Sequence, residues 1–167
     1  VNPTKISQKG DDNQIFKDAS YYSFNLLGEN TKIKSEKIVH QGVGGKITLL
    51  RPFGEILSKD GKVDYRGEQG EVFPRIHSVH LFDGVSFKGN GVKVRSQEMF
   101  LNQKEGKVSL FGEVFTEANL EKGDKLFLQS KEAFLNKDQS LINYKEKVRG
   151  QVVFRNKSFS KLNSFTR

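Results

Sequence analysis

The histidines are the first residues of this 167-residue chain whose type could support chemistry. There are three, His40, His77 and His80, and there is no cysteine. His77 and His80 are three positions apart, so on one strand they would point to opposite faces and could not bind the same metal ion. The sequence therefore predicts neither a metal site nor a cysteine nucleophile.

A glycine-rich loop is the second feature that could bind a ligand. The sequence GVGGK at 42–46 has the composition of a phosphate-binding loop. However, His40 stands where the first glycine of that motif belongs, and Ile47 follows the lysine in place of Ser or Thr. We interpret the segment as a hairpin turn.

Paired carboxylates are the third candidate for chemistry. Glu68 with Glu71 and Glu117 with Glu121 are close in sequence, but each pair adjoins a turn, where carboxylates are normally solvated. No nucleophile lies beside a base in the sequence. We predict that the protein is not an enzyme and that it needs no cofactor.

The net charge of +8 and the pI near 9.6 favour an anionic partner such as nucleic acid, anionic lipid or a phosphorylated glycolipid. An ordinary basic surface explains the same charge, because Lys and Arg occur in nearly every segment. Phe82, Phe111 and Phe115 have basic residues nearby and could stack on bases, which keeps an oligonucleotide binder as one hypothesis.

Alternating apolar residues predict that the chain is all-β. In residues 92–115, Val92, Val94, Val108, Leu110 and Val114 alternate with polar residues, which is typical of two half-buried strands, and the turn lies at 103–106. Other predicted strands span 15–27, 32–39, 46–53, 63–73, 76–88, 125–135 and 141–155. We expect one domain over 15–155, a flexible lead-in over 1–14 and a basic C-terminal tail over 156–167.

Internal repeats indicate that one strand pair is used several times. SQEMFLN at 96–102 matches SKEAFLN at 130–136 in five of seven positions, counted directly from the sequence. LFDGV at 81–85 is similar to LFGEV at 110–114. The unequal offsets and the glycine-bearing turns favour strands over helical repeats.

These two glycine-valine segments, with LRPF at 50–53 and KDGK at 59–62, resemble the jellyroll proteins of lipopolysaccharide export, and the closer likeness is to the periplasmic domain of the LptC type. The likeness covers about residues 20–155. Asp83-Gly84 departs from the pattern because its glycine comes one position later than Gly112 does. The resemblance implies a twisted, open β-jellyroll with an apolar groove that receives the acyl chains of lipopolysaccharide.

The resemblance also implies the partners and the location. The protein would be held at the inner membrane by a segment upstream of residue 1, in the periplasm. It would accept lipopolysaccharide from an inner-membrane ABC transporter complex at one sheet edge and pass it to an LptA-like jellyroll protein at the other. Lys and Arg at the rim of the groove could bind phosphates.

The candidate groove residues are apolar and occupy alternate strand positions. They are Phe24, Leu26, Ile47, Leu49, Phe53, Val79, Leu81, Val85, Phe87, Val92, Val94, Val108, Leu110, Val114, Leu126 and Leu128. Gly84 and Gly112 are predicted to have structural roles, at positions where a strand bends or a neighbour approaches closely. Two alternatives stay open at this point: a soluble LptA-like bridge protein, and a β-scaffold with a filled core and no ligand.

Overall fold

The computed structural model describes residues 5–7, 13–26, 29–42, 45–58, 61–102, 104–136, 142–155 and 163–166. Within these residues, fourteen strands form one antiparallel sheet, and the only helices are two single 3₁₀ turns. The prediction of an all-β, jellyroll-like fold is confirmed. In the part of the chain that is described, no helix is long and apolar enough to cross a membrane.

The strand bounds follow the alternating segments of the sequence. The strands are β1 (Lys5–Ser7), β2 (Asn13–Leu26), β3 (Glu29–Gln41), β4 (Ile47–Leu50), β5 (Phe53–Ser58), β6 (Gly61–Phe73), β7 (Ser78–Gly89), β8 (Val92–Ser96), β9 (Glu98–Asn102), β10 (Lys107–Asn119), β11 (Lys125–Asn136), β12 (Asn143–Lys145), β13 (Arg149–Val153) and β14 (Asn163–Thr166). The 3₁₀ turns, Pro74–Ile76 and Glu121–Gly123, lie between β6 and β7 and between β10 and β11.

The sheet is open at both ends. Its path runs β1-β2-β3-β4-β6-β7-β8-β10-β11-β13-β14, with β5, β9 and β12 paired beside it. Among the described strands, β1 pairs only with β2 and β14 pairs only with β13. Both edges therefore carry backbone groups that no other described strand uses.

Long strands divide the sheet into two halves. Half-sheet A contains the short strands β4, β9 and β12, with 36–41 of β3, 69–73 of β6, 78–82 of β7, 107–111 of β10 and 132–136 of β11. Half-sheet B contains β5, β8, β13 and the other part of each long strand. The repeated unit of the sequence is thus a long strand that is hydrogen-bonded to two short strands, one in each half-sheet.

At the boundary between the half-sheets the short strands break, and cross-links replace the missing ladder. The Arg51 amide donates to the Glu68 carbonyl at 2.9 Å, and the Gly67 amide donates to the Pro52 carbonyl at 2.9 Å. Between β8 and β9, the Gln97 amide donates to the Phe111 carbonyl at 3.1 Å. These bonds satisfy backbone groups that would otherwise be left without partners as the sheet changes direction.

Buried serines mark the same boundary. The hydroxyls of Ser35, Ser96 and Ser130 donate to the carbonyls of Lys37, Glu98 and Glu132, each two residues ahead. All three serines are almost fully buried, at 2%, 6% and 1% exposure. The serine repeated at 96 and 130 therefore lies where the pairing partners change, and its hydroxyl stays hydrogen-bonded there.

Gly84 and Gly112 lie at bulges on this boundary. Phe111 pairs with Glu132 and Val114 pairs with Ser130, so β10 uses one residue more than β11. Gly112 has φ +75°, and a Cβ there would lie 2.7 Å from the Cβ of Gln97. Gly84 has φ +103° at a matching bulge on β7, but open space surrounds its would-be Cβ. Both positions have a positive φ, which favours glycine, and at Gly112 the Gln97 side chain also leaves no room for a Cβ.

Five details differ from the expected segments. The predicted first arm of 92–115 is two strands, β8 and β9, because the chain turns at Gln97. The segments 46–53 and 141–155 are likewise broken, the first between β4 and β5 and the second between β12 and β13. The lead-in 1–14 contains β1, which is hydrogen-bonded to β2, and the tail 156–167 contains β14, which is hydrogen-bonded to β13.

Candidate functional site

The inner face of half-sheet A is a continuous apolar row. Leu49, Leu81 and Leu110 belong to one line of facing residues in neighbouring strands, with Gly70 between the first two and Met99 between the last two. Leu49 and Leu81 have no exposed surface. A Cβ on Gly70 would lie 2.9 Å from the Cδ2 of Leu81, so glycine makes room for that leucine.

The inner face of half-sheet B completes the interior. Ile33, Tyr65 and Val94 are 2%, 4% and 5% exposed, and they belong to the same core cluster as Leu49 and Leu81. Burial raises the pKa of the Tyr65 phenol well above its ordinary value, because the phenolate is poorly solvated there. Sequence reasoning missed Ile33, Tyr65 and Met99, although each continues an alternation already seen in its strand.

Most of the candidate groove residues point to this interior. Nine of them are buried: Ile47, Leu49, Val79, Leu81, Val85, Val94, Val108, Leu110 and Val114. Phe87, Val92, Leu126 and Leu128 are half-buried. Phe24 and Leu26 lie in β2, and their side chains are outside the part that the structure describes.

Phe53 is a correction, because it lies on the outer face. It is 42% exposed and shares a line of facing residues with Lys34 and Arg66. The cause is Arg51, whose φ of +47° breaks the alternation between β4 and β5. Leu49 and Phe53 are four positions apart, yet they point to opposite sides.

The interior is less closed at the end formed by β11 and β13. Leu126 faces Val152 there, and Leu128 faces Gly150. Leu126, Leu128 and Val152 are half-buried, whereas Leu49 and Leu81 in the middle of the sheet are fully buried. This end is where apolar inner-face side chains can still meet a ligand.

A second concave surface lies on the outer face of half-sheet B. We call it the basic depression, and it is defined by Lys88, Lys93, Arg95, Phe115, Phe127 and Arg149, which line an open cavity of about 720 Å³. The size is in the range of small-ligand sites. Sequence reasoning did not bring Lys88, Lys93, Arg95 and Arg149 together.

The four cations of the basic depression are unpaired. Among the described residues, no carboxylate oxygen lies within 4.0 Å of Lys88, Lys93, Arg95 or Arg149. Lys88 and Lys93 face each other directly across β7 and β8, which is unfavourable for like charges, and Glu117 faces Lys93 on its other side. With four cations and one carboxylate in its described lining, the depression carries net positive charge.

Among the described residues of the lining, Glu117 is the one carboxylate, and it is already paired with Lys125. Lys125 Nζ donates to Glu117 Oε1 at 2.6 Å. This hydrogen bond holds the pKa of the Glu117 carboxyl below its ordinary value, and the charges of Lys93 and Arg95 act in the same direction. Glu117 is thus an anion at neutral pH. Its strongest partner is Lys125, and it interacts more weakly with Lys93 and Arg95 of the depression.

The outer face of half-sheet A carries a row of aromatic rings. His80 stacks on Phe100 at 4.0 Å between ring centroids, Phe100 meets Phe111 edge-on at 5.8 Å, and Phe111 meets Phe134 at 6.1 Å. Lys107 Nζ lies 4.8 Å from the centre of the Phe134 ring. Phe111 is therefore largely engaged with its neighbours, whereas Phe115 lies in the basic depression.

Comparisons with known proteins do not place the chain in a family. No protein-family model matches it, and no curated protein matches it. Within the described residues, no three His, Asp or Glu side chains are grouped so as to hold a metal ion. The described residues form two surfaces with the geometry of ligand sites, the apolar interior and the basic depression.

Proposed function

We propose that this protein is a non-enzymatic lipopolysaccharide-binding bridge component. In this proposal it accepts lipopolysaccharide from an inner-membrane transporter and passes it along jellyrolls that join edge to edge toward the outer membrane. The supporting observation is the interior, whose apolar core runs from β3 to β11, and beside which the apolar residues Leu126, Leu128 and Val152 are only half-buried. The sequence resemblance points the same way.

An apolar interior that is open at one end suits acyl chains. Each methylene group that leaves water contributes about 0.8 kcal/mol, so on the order of ten methylene groups buried on the inner face near Leu126 and Leu128 would supply the roughly 8 kcal/mol of a micromolar complex. Because the middle of the sheet is filled, the proposed contact is at the β11 and β13 end. The middle serves as the core that keeps the sheet folded.

The open edges suit the proposed partners. β1 and β14 each have one neighbour among the described strands, and an unpaired edge can accept a strand from another protein. The proposal uses one edge for the transporter complex and the other for the next jellyroll. It locates the protein in the periplasm, either anchored at the inner membrane or, in the LptA-like alternative, soluble.

A photo-crosslinking experiment tests lipid binding. Probes at Leu126 and Val152 point inward, whereas probes at their neighbours Lys125 and Val153 point outward, and none of these four residues lines the basic depression. We expect lipopolysaccharide to crosslink to the first pair at least fivefold more strongly than to the second. Equal labelling of both pairs, or labelling of the outward pair alone, would show that acyl chains do not enter here.

One observation favours a second candidate, a β-scaffold without ligand. Leu49, Leu81 and Val114 have no exposed surface, so a large part of the proposed groove is filled by its own side chains. Native mass spectrometry after incubation with lipopolysaccharide separates the two candidates. A lipid adduct that survives desolvation supports the carrier, and its absence at saturating lipid supports the scaffold.

A further inference from the structure

We infer that the basic depression is a second ligand site, separate from the apolar interior, and that it binds a phosphorylated saccharide. The inference rests on the proposed function only for the source of that ligand, which is the head of a glycolipid. The site itself follows from the arrangement of four cations, two aromatic rings and several uncharged polar side chains on one concave surface.

The cations supply the phosphate chemistry. Lys88 and Lys93 are direct cross-strand partners, and Arg95 is two residues beyond Lys93 on the same strand. Strand geometry places these three side chains within about 7 Å of one another along β7 and β8. A phosphate seated among them relieves the repulsion between the two lysines and can accept paired hydrogen bonds from the Arg95 guanidinium.

The ring and the polar residues supply the saccharide chemistry. Phe115 faces Arg95 across β8 and β10 and is 42% exposed, so one apolar surface lies open beside the cations. Ser86 and Gln151 also belong to the lining and can bond to sugar hydroxyls. Inorganic phosphate would use the cations alone and would leave Phe115 in water.

Charge on the neighbouring strands argues for a compact ligand. On β5 and β6, Glu55 and Asp64 bind Lys62 at 2.5 and 3.5 Å. Asp64 is the register partner of Lys88, so acidic groups border the depression on that side. A long polyphosphate chain such as single-stranded nucleic acid would meet these carboxylates as it left the depression, whereas a single phosphorylated saccharide would not.

Isothermal titration calorimetry with a deacylated, bisphosphorylated disaccharide tests the inference. We expect binding, and we expect Arg95→Gln or Arg149→Gln to raise the dissociation constant at least tenfold. Arg66→Gln is the matched control, because Arg66 shares the line of facing residues with Arg95 but lies outside the depression. A control effect as large as that of Arg95→Gln would mean only general charge attraction, and would overturn the inference.

Two phenylalanines test the contact with the ring. Phe115 and Phe53 are both 42% exposed, and only Phe115 lines the depression. Phe115→Ala should raise the dissociation constant of the disaccharide about fivefold, and Phe53→Ala should leave it within twofold. Equal affinity for inorganic phosphate and for the disaccharide would overturn the saccharide assignment.

A single-stranded oligonucleotide is the competing macromolecule. If it binds more tightly than the disaccharide and loses that affinity in Arg95→Gln, the ligand class is wrong. Crosslinking at Leu126 is measured separately with intact lipopolysaccharide, because Leu126 lies on the inner face and does not line the depression. Loss of inner crosslinks with retained disaccharide binding refutes the acyl-chain proposal alone, and the reverse result refutes the basic depression alone.

Discussion

The interior differs between the middle of the sheet and its β11 and β13 end. Leu81 in the middle and Leu128 at the end occupy equivalent inner-face positions on long strands, yet Leu81 has no exposed surface and Leu128 is half-buried. Leu81 lies between β6 and β9, both of which present inner-face residues to it. Leu128 lies near the end of the described sheet, where only β13 and β14 follow β11 along the path.

The alternation of apolar residues therefore determines which face of the sheet a side chain lies on, but it does not determine how deeply that side chain is buried. The same aliphatic pattern makes a filled core in the middle of the described sheet and a partly open surface near its β13 and β14 end. The end of the sheet is therefore where a ligand could enter. Substitutions at matched positions measure that difference directly.

Leucine truncation gives the largest expected effect. Leu81→Ala should lower the free energy of unfolding by about 2–5 kcal/mol, because the surrounding side chains leave a cavity. Leu128→Ala should cost about 1–2 kcal/mol, since part of that side chain is already in water. Urea denaturation followed by circular dichroism compares the two. Equal costs would mean that the end is packed like the middle and is closed to acyl chains.

The two bulge glycines give the next largest effect. Gly112→Ala should cost about 1–3 kcal/mol, because it combines a strained φ of +75° with a contact of 2.7 Å to the Gln97 Cβ. Gly84→Ala shares the strain but meets open space, so it should cost about 1 kcal/mol. Thermal unfolding of both variants gives the comparison. A larger loss at Gly84 would show that the Gln97 contact is unimportant.

The fold was largely predictable from the sequence because strand alternation is local. Nine candidate groove residues are buried on the inner face, as the pattern of Val and Leu indicates. The prediction that Phe53 faces the groove was wrong. Arg51, between β4 and β5, has a positive φ, so the residues of β5 do not continue the alternation of β4. Propensity alone does not mark such a position, and Arg rarely adopts positive φ.

The basic depression was not predictable for a different reason. Lys88, Lys93 and Arg149 come from three strands, and the third is more than fifty positions along the chain from the others. Their proximity depends on the register of β8, β10, β11 and β13, including the bulge between Phe111 and Val114. A single sequence shows basic residues in every segment and gives no register.

The boundary serines give a smaller effect that tests the repeat. Ser96→Ala and Ser130→Ala should each lower the free energy of unfolding by about 1 kcal/mol, because the carbonyls of Glu98 and Glu132 lose a buried donor. Ser109→Ala is the control, since Ser109 lies on the outer face of β10 and its hydroxyl makes no hydrogen bond to the described residues. Chemical denaturation resolves the difference. If Ser109→Ala costs as much, the serines have no special role at the boundary.

Two tyrosines give the smallest effect and compare the middle with the end under alkaline conditions. Burial raises the pKa of Tyr65 in the middle and of Tyr144 near the end, and for Tyr144 the bond to the Thr116 hydroxyl acts in the opposite direction. The folded state therefore keeps the phenol proton at a pH where the unfolded chain releases it.

The stabilising effect of the retained proton is complete below the ordinary pKa of 10.0 and is lost as the pH rises above it. We expect wild type to lose about 0.8 kcal/mol more than Tyr65→Phe between pH 8 and pH 10.5, with a smaller difference for Tyr144→Phe. Urea titrations at both pH values measure it. Because the other titratable groups are the same in all three proteins, only the difference between variants reports the phenols. Parallel pH profiles for wild type and Tyr65→Phe would show that Tyr65 ionises as freely as it does in water.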